Sequence, residues 1–213
     1  MTDLDYAIEV YAEQHTTPLD PVLESLYRET YLHAMNPRMM AGPVQGRFLQ
    51  FLSQLLRPKR ILEIGTFTGF STICMARGLA EGGTMVTIEA NREQETIIRK
   101  YLDLAGVSDR VALILGDAKQ VIPDLKESFD LAYIDADKLS YPAYYEMVME
   151  KLNPEGIILA DNVLWDGKVL KTDAKERDTQ TLQAFNERIQ QDPRVENVLL
   201  PLRDGLMMIK KRF

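Results

Sequence analysis

Arg60-Ile61-Leu62-Glu63-Ile64-Gly65-Thr66-Phe67-Thr68-Gly69-Phe70-Ser71 is the stretch on which the fold turns. Residues 60–64 make a short aliphatic run of the kind that forms a buried strand, and the apolar segment 71–80 has helical spacing. Gly65 and Gly69 frame the turn between them, where amides and the start of a helix can hold an anionic group. The spacing Gly-x-x-x-Gly departs from the Gly-x-Gly-x-x-Gly of dinucleotide-binding turns, and the Gly-Lys-Ser/Thr of a phosphate-binding loop is lacking. Taken alone, the turn is equally well read as ordinary αβ-loop chemistry.

The same alternation continues on both sides. Further strands are expected at 84–89, 111–115, 131–134, 156–160, 195–201 and 206–210, and helices at 92–105, 119–126, 141–152 and 179–191. Asn91 with Gln94 makes a capping-box pattern, and Gly106 is placed to stop the helix. Strand then helix, repeated five times, predicts an α/β fold: a doubly wound, mostly parallel sheet with helices on both faces. The last two strands, joined by the short loop 202–205, are expected to form an antiparallel hairpin at or near one edge of a seven-stranded sheet. Residues 4–15, 21–35 and 44–56 read as helices, and 166–178 as a polar loop or helix start.

Length and composition set the frame. With 213 residues there is room for one sizeable domain, expected over 1–213 as a helical N-terminal cap region (1–57) and an α/β core (58–213). At 46% hydrophobic and 27% charged, the chain belongs to neither the disordered nor the fibrous classes. Twenty-five basic against 32 acidic residues leave a net charge of -7, which speaks against a general nucleic-acid binder. The single cysteine, Cys74, rules out an intramolecular disulfide and a multi-cysteine zinc site, and its apolar setting reads as inert core. The start of the chain carries Asp3, Asp5, Glu9 and Glu13 and no apolar run, so it is not read as a signal peptide. No segment approaches the roughly 20 apolar residues of a membrane span. The expectation is a soluble, cytoplasmic protein with neither nucleic acid nor membrane as partner.

Unusual polar residues stand where the predicted strands end, which is where an open parallel sheet binds ligands. Glu89 closes the second strand, in position to accept hydrogen bonds from a ribose diol; a carboxylate favoured by the next helix start is the plainer reading. Gly116-Asp117-Ala118 follows the third strand and could line an adenine slot, or Asp117 could simply be an N-cap. The fourth strand runs into Asp135-Ala136-Asp137-Lys138 and the fifth into Asp161-Asn162. These two strands are predicted neighbours, so Asp135, Asp161 and Asn162 gather three hard oxygen donors that suit Mg²⁺ or Mn²⁺, and Ca²⁺ less well. Separate capping by the two aspartates is the alternative. Lys138, beside this cluster, is a candidate general base.

With these motifs in order, the chain resembles the cation-dependent class I S-adenosylmethionine O-methyltransferases, the group containing catechol and caffeoyl-coenzyme A O-methyltransferases. The resemblance runs from about Met39 to Lys211 and rests on residues 61–71, 135–138, 161–165 and the closing Leu200-Pro201-Leu202-Arg203-Asp204-Gly205, with Gln45-Gly46-Arg47-Phe48-Leu49 similar to the helix before strand one. It implies a Rossmann-like fold with S-adenosylmethionine and a divalent cation as cofactors. Met39 and Ala41 would flank the methionine part of the cofactor. Glu63, Gly65, Thr66 and Ser71 would hold its amino-acid end, the Ser71 hydroxyl on the carboxylate. Glu89 would take the ribose, and Asp117 and Ala118 the adenine. Asp135 would touch both the cofactor amine and the metal, Asp161 and Asn162 would complete the metal site, Lys138 would be the base, and Trp165 would contact the substrate. The resemblance also implies a homodimer.

The implied reaction moves a methyl group from a sulfonium to an acceptor oxygen, so the protein has to position and deprotonate the nucleophile. A phenol titrates near 10 and stays protonated at neutral pH. A cation that favours the phenolate, with vicinal hydroxyls to chelate it, makes a small catechol-like acceptor, free or as a caffeoyl-type ester, the natural substrate. The competing readings are a nucleotide-binding oxidoreductase, which the glycine spacing disfavours, and a non-catalytic S-adenosylmethionine-binding protein.

Overall fold

The computed structural model describes residues 3–213, the side chains of 3–6 excepted, so the first two residues of the expected cap region lie outside the described ones. Three helices come first: α1 (Asp3–Gln14), α2 (Pro21–His33) and α3 (Pro43–Leu56). Strands and helices then alternate as β1 (Arg60–Ile64), α4 (Phe70–Ala76), β2 (Thr84–Glu89), α5 (Glu95–Leu104), β3 (Val111–Leu115), α6 (Ala118–Asp124), β4 (Phe129–Ile134), α7 (Tyr141–Lys151), β5 (Leu152–Asp161), α8 (Arg177–Gln191), β6 (Val195–Leu200) and β7 (Leu206–Lys211). Short 3₁₀ turns lie at Pro37–Met39, Arg92–Gln94, Lys138–Ser140 and Lys168–Leu170. No helix among the described residues is long and apolar enough to cross a membrane.

The described strands form one seven-stranded sheet in the order β3-β2-β1-β4-β5-β7-β6. The first five of that order are parallel, and β7 runs antiparallel to both β5 and β6. The hairpin therefore forms, with its later strand on the inside. Burial gives the reason: β7 buries Leu206, Met207 and Ile209, whereas β6 buries Val195 and leaves Glu196 and Val198 exposed, so β6 takes the edge.

Successive strand residues point to opposite faces, and the alternation sorts the core in two. Ile61, Leu131, Tyr133 and Leu159 face α2 to α5, packing with Leu23, Leu26, Leu49, Phe70 and Tyr101. Leu62, Ile64, Ala132, Ile134, Ile158 and Ala160 face α6 to α8, packing with Ile122, Tyr145 and Phe185. Glu63 and Asp161 share the parity of the first set, which aims both toward the α3 side of the sheet. Cys74 is buried in that same core, where burial pushes its thiol up to about 12.

Three local expectations are corrected. The helix after the glycine turn ends at Ala76 instead of residue 80, because Gly78 passes so close to α3 that a Cβ there would lie 2.4 Å from the Gln54 amide nitrogen. Asn91 caps the Glu93 N–H at 3.0 Å, but the reciprocal bond from Gln94 is not made: Glu89 takes the Asn91 N–H at 2.8 Å instead. Finally, β5 begins at Leu152, four residues early. Leu152 pairs with Phe129 and Ile157 with Leu131, so the turn-like Asn153-Pro154-Glu155-Gly156 is absorbed as an irregularity within the strand.

Candidate active site

Strand order reverses between β1 and β4, and a crevice forms outside the carboxyl ends of strands at such a point. The turn after β1 is built tightly against β4. Gly65 has φ +95°, and a Cβ on it would lie 1.9 Å from the Asp135 carbonyl oxygen, so only glycine fits. Thr66 is buried, its hydroxyl 2.6 Å from that of Thr87.

Glu63 is fully buried and accepts from the hydroxyls of Ser71 at 2.6 Å, Thr72 at 2.5 Å and Thr87 at 2.6 Å. Burial pushes its carboxyl up to about 7 against the opposing pull of those three donors. The Ser71 hydroxyl, expected on a cofactor carboxylate, here donates to Glu63. Glu89 stands at the end of β2, where Oε2 accepts the Phe67 N–H at 2.7 Å and Oε1 the Asn91 N–H. Phe67 has φ +52°, so Glu89 braces a backbone conformation that a non-glycine residue rarely adopts. Asp117 caps α6 through the Lys119 N–H at 2.9 Å, and Ala118 is buried. Ala41 is buried as well, while Met39 is exposed and its neighbour Met40 packs inward, accepting from Thr68.

Lys138 lies where β4 and β5 end. It is 7% exposed, and its Nζ donates to the Tyr141 hydroxyl at 2.6 Å, Asn162 Oδ1 at 2.9 Å and Asp135 Oδ1 at 3.2 Å. Three acceptors match the three N–H bonds of an ammonium. Asn162 reaches it from a left-handed backbone (φ +58°), which asparagine tolerates better than most residues. The Trp165 ring lies 5.9 Å from the same nitrogen. Trp165 and Asp166 are also left-handed, so the chain turns sharply after β5. Burial holds the Asp135 carboxyl up at about 6, with Lys138 opposing and the nearby charge of Asp161 adding to the rise.

The fold thus brings Asp135, Asn162 and Lys138 into contact and sets Asp161 beside them. Among the described residues no group of three or more His, Cys, Asp or Glu side chains is placed to hold a metal ion; the expected set, two carboxylates and an amide, is of another kind. Its chemistry fits a hard cation. A carboxylate offers about four acceptor sites, and Asp161 uses three, for Gln45 Nε2 at 2.5 Å, the Tyr133 hydroxyl at 2.6 Å and the Asn162 N–H at 2.7 Å. Asp135 accepts one side-chain hydrogen bond, from Lys138. Oxygen valence therefore remains on both.

Gln45, Tyr133, Tyr141 and Arg203 were not singled out from the sequence as site residues. A signal existed for two of them: Gln45 and Tyr133 carry polar groups at positions whose periodicity faces the core.

A glycine turn at the switch point, a carboxylate closing β2 and an ammonium among oxygens after β4 and β5 give a doubly wound α/β fold whose polar groups gather at the strand ends. Residues 13–212 match the family model described as O-methyltransferase, and the chain belongs to that family. It is 37% identical over 170 residues to the catechol O-methyltransferase of Niastella koreensis, covering 78% of this chain and 77% of the relative. It is 30% identical over 200 residues to the caffeoyl-CoA O-methyltransferase of Stellaria longipes, covering 89% and 83%. Among solved structures, the O-methyltransferase from Bacillus cereus in complex with SAH superposes with a TM-score of 0.88 at 34% identity over 97% of both chains. The oxidoreductase alternative falls with this membership.

Proposed function

We propose that the protein transfers a methyl group from S-adenosylmethionine to a phenolic hydroxyl of a small vicinal diphenol, and that it needs a divalent cation to do so. The observation that carries this is the meeting of Lys138 with Asp135 and Asn162 at the ends of β4 and β5. S-adenosylmethionine supplies a methyl already activated by a positive sulfur. A divalent cation held by Asp135, Asp161 and Asn162 supplies charge that favours a phenolate over a phenol.

The chain's own residues do the remaining work. Glu89, braced between the Phe67 and Asn91 amides, presents a fixed carboxylate where a ribose diol would be read. Gly65 keeps the floor of the crevice flat against Asp135. Lys138, once its Nζ has released a proton to solvent and become the neutral amine, is the group placed to take the acceptor's proton, with Tyr141 holding it from the protein side through a hydroxyl that itself bonds the Asp161 carbonyl at 2.7 Å. Trp165 offers an aromatic face beside Lys138 against which a flat acceptor can stack. The relatives named for catechol and caffeoyl-CoA support an acceptor of this kind.

The test is transfer of labelled methyl from S-adenosylmethionine to a panel containing catechol, a caffeoyl ester and a monophenol, after EDTA treatment and after adding back Mg²⁺ or Mn²⁺. Product from the diphenols, only with metal, is expected. Full transfer in metal-free buffer overturns the cation role, and transfer to the monophenol alone overturns the acceptor class.

A further inference from the structure

Gln45 is 1% exposed, and a buried amide is costly unless its polar atoms are bonded. Its Nε2 donates to Asp161 Oδ2 at 2.5 Å and to the Tyr133 hydroxyl at 3.2 Å, while Tyr133 donates to the same Oδ2 at 2.6 Å. At the other end of the amide, the Arg203 guanidinium reaches Oε1 at 3.4 Å and also donates to the Arg38 carbonyl at 2.8 Å. A guanidinium only donates and an ionised carboxylate only accepts. The amide therefore has one orientation that serves both neighbours, with oxygen toward Arg203 and nitrogen toward Asp161. Reversing it would turn the oxygen onto the carboxylate and the NH₂ onto the guanidinium.

Four parts of the fold converge through this contact: α3, β4, the end of β5 and the loop before β7. Asp161 reaches α3 because its strand parity aims it at that face of the sheet. Of its three donors the Asn162 amide is local, and the two that cross between elements are Gln45 and Tyr133.

From this geometry we propose that Gln45, oriented by Arg203 and seconded by Tyr133, is a positioning residue that fixes the Asp161 carboxylate for a divalent cation. The proposal rests on the cation site described under the proposed function. Partners that orient a metal ligand in this way typically account for ten- to hundred-fold in metal affinity.

Mn²⁺ alone is the probe, its free ion followed by electron paramagnetic resonance in titrations of the full chain. Gln45→Met, similar in size but unable to make these bonds, is expected to weaken Mn²⁺ binding ten- to hundred-fold. Arg203→Met, at an exposed residue, should weaken it less and in the same direction. The apparent KM for metal in methyl transfer should rise with the loss of affinity, while kcat at saturating Mn²⁺ returns toward wild type; general damage to packing would not produce that split. Circular dichroism and thermal melting report whether each variant is folded. Wild-type Mn²⁺ affinity in folded Gln45→Met overturns the proposal, and if that variant does not fold, unchanged affinity in Arg203→Met overturns it. A wild-type chain that binds no Mn²⁺ overturns the cation reading, and this proposal with it.

Discussion

Lys138 Nζ and Asn162 Oδ1, 24 positions apart in the chain, meet at 2.9 Å. The bond ties the end of β4 to the end of β5, and it places one nearly buried ammonium between an amide and the Asp135 carboxylate. A charge this buried is retained where oxygen partners surround it.

Lys138→Met should therefore affect chemistry more than cofactor binding. Methyl transfer at saturating S-adenosylmethionine is expected to fall by about 10²–10⁴, the usual weight of a positioned proton-transfer group. Calorimetric titration with the cofactor should change little. A loss smaller than tenfold in transfer would show that another group handles the proton.

Gly65→Ala tests the floor of the crevice. The new methyl group would lie 1.9 Å from the Asp135 carbonyl, on a backbone with φ +95°. Conformational strain and overpacking together should cost about 2–5 kcal/mol. Urea unfolding followed by circular dichroism measures this, and a variant within about 0.5 kcal/mol of wild type, inside the usual spread of harmless surface changes, would contradict the close approach.

Glu63 carries a pH dependence of definite sign. Its carboxyl stands at about 7 in the folded chain against an ordinary 4.5, so the native state binds the proton more tightly than the unfolded one. Stability is then full below the unfolded value and declines as pH rises from about 4.5 through 7, by up to about 3 kcal/mol. Glu63→Gln has no proton to lose, and unfolding measured at pH 5 and pH 8 should lack that decline. An unchanged slope in the variant would assign the effect to other groups.

Glu89→Ala would release the Phe67 and Asn91 amides together and remove the carboxylate at the end of β2. Loss of hydrogen bonds to a charged group should cost about 1.5–3 kcal/mol. S-adenosylmethionine binding, followed by calorimetry, should weaken by at least about tenfold on the same scale. Unchanged affinity would place the ribose elsewhere.

Much of the scaffold was legible along the chain because it is written in short-range periodicity. The aliphatic run 60–64, the glycines that follow it and the polar residues closing the strands at Glu89, Asp135 and Asp161 all stand where the folded sheet has them. Where the local signal misled, a longer-range contact had the stronger claim. Glu89 took the Asn91 amide that a capping box would have given to Gln94, and Gly78 ended α4 early by packing on α3.

By itself the sequence determined the alternation of strand and helix, the parity that sends Glu63 and Asp161 to one face, and the set of polar residues at the strand ends, since each depends only on neighbours a few positions away. Tertiary structure alone decided that β7 lies inside β6, that three hydroxyls close on Glu63, and that Gln45 bonds Asp161 across 116 positions. A buried polar atom must find its partner among whatever the packed elements bring within about 3 Å, and that choice exists only once helices and sheet have come together.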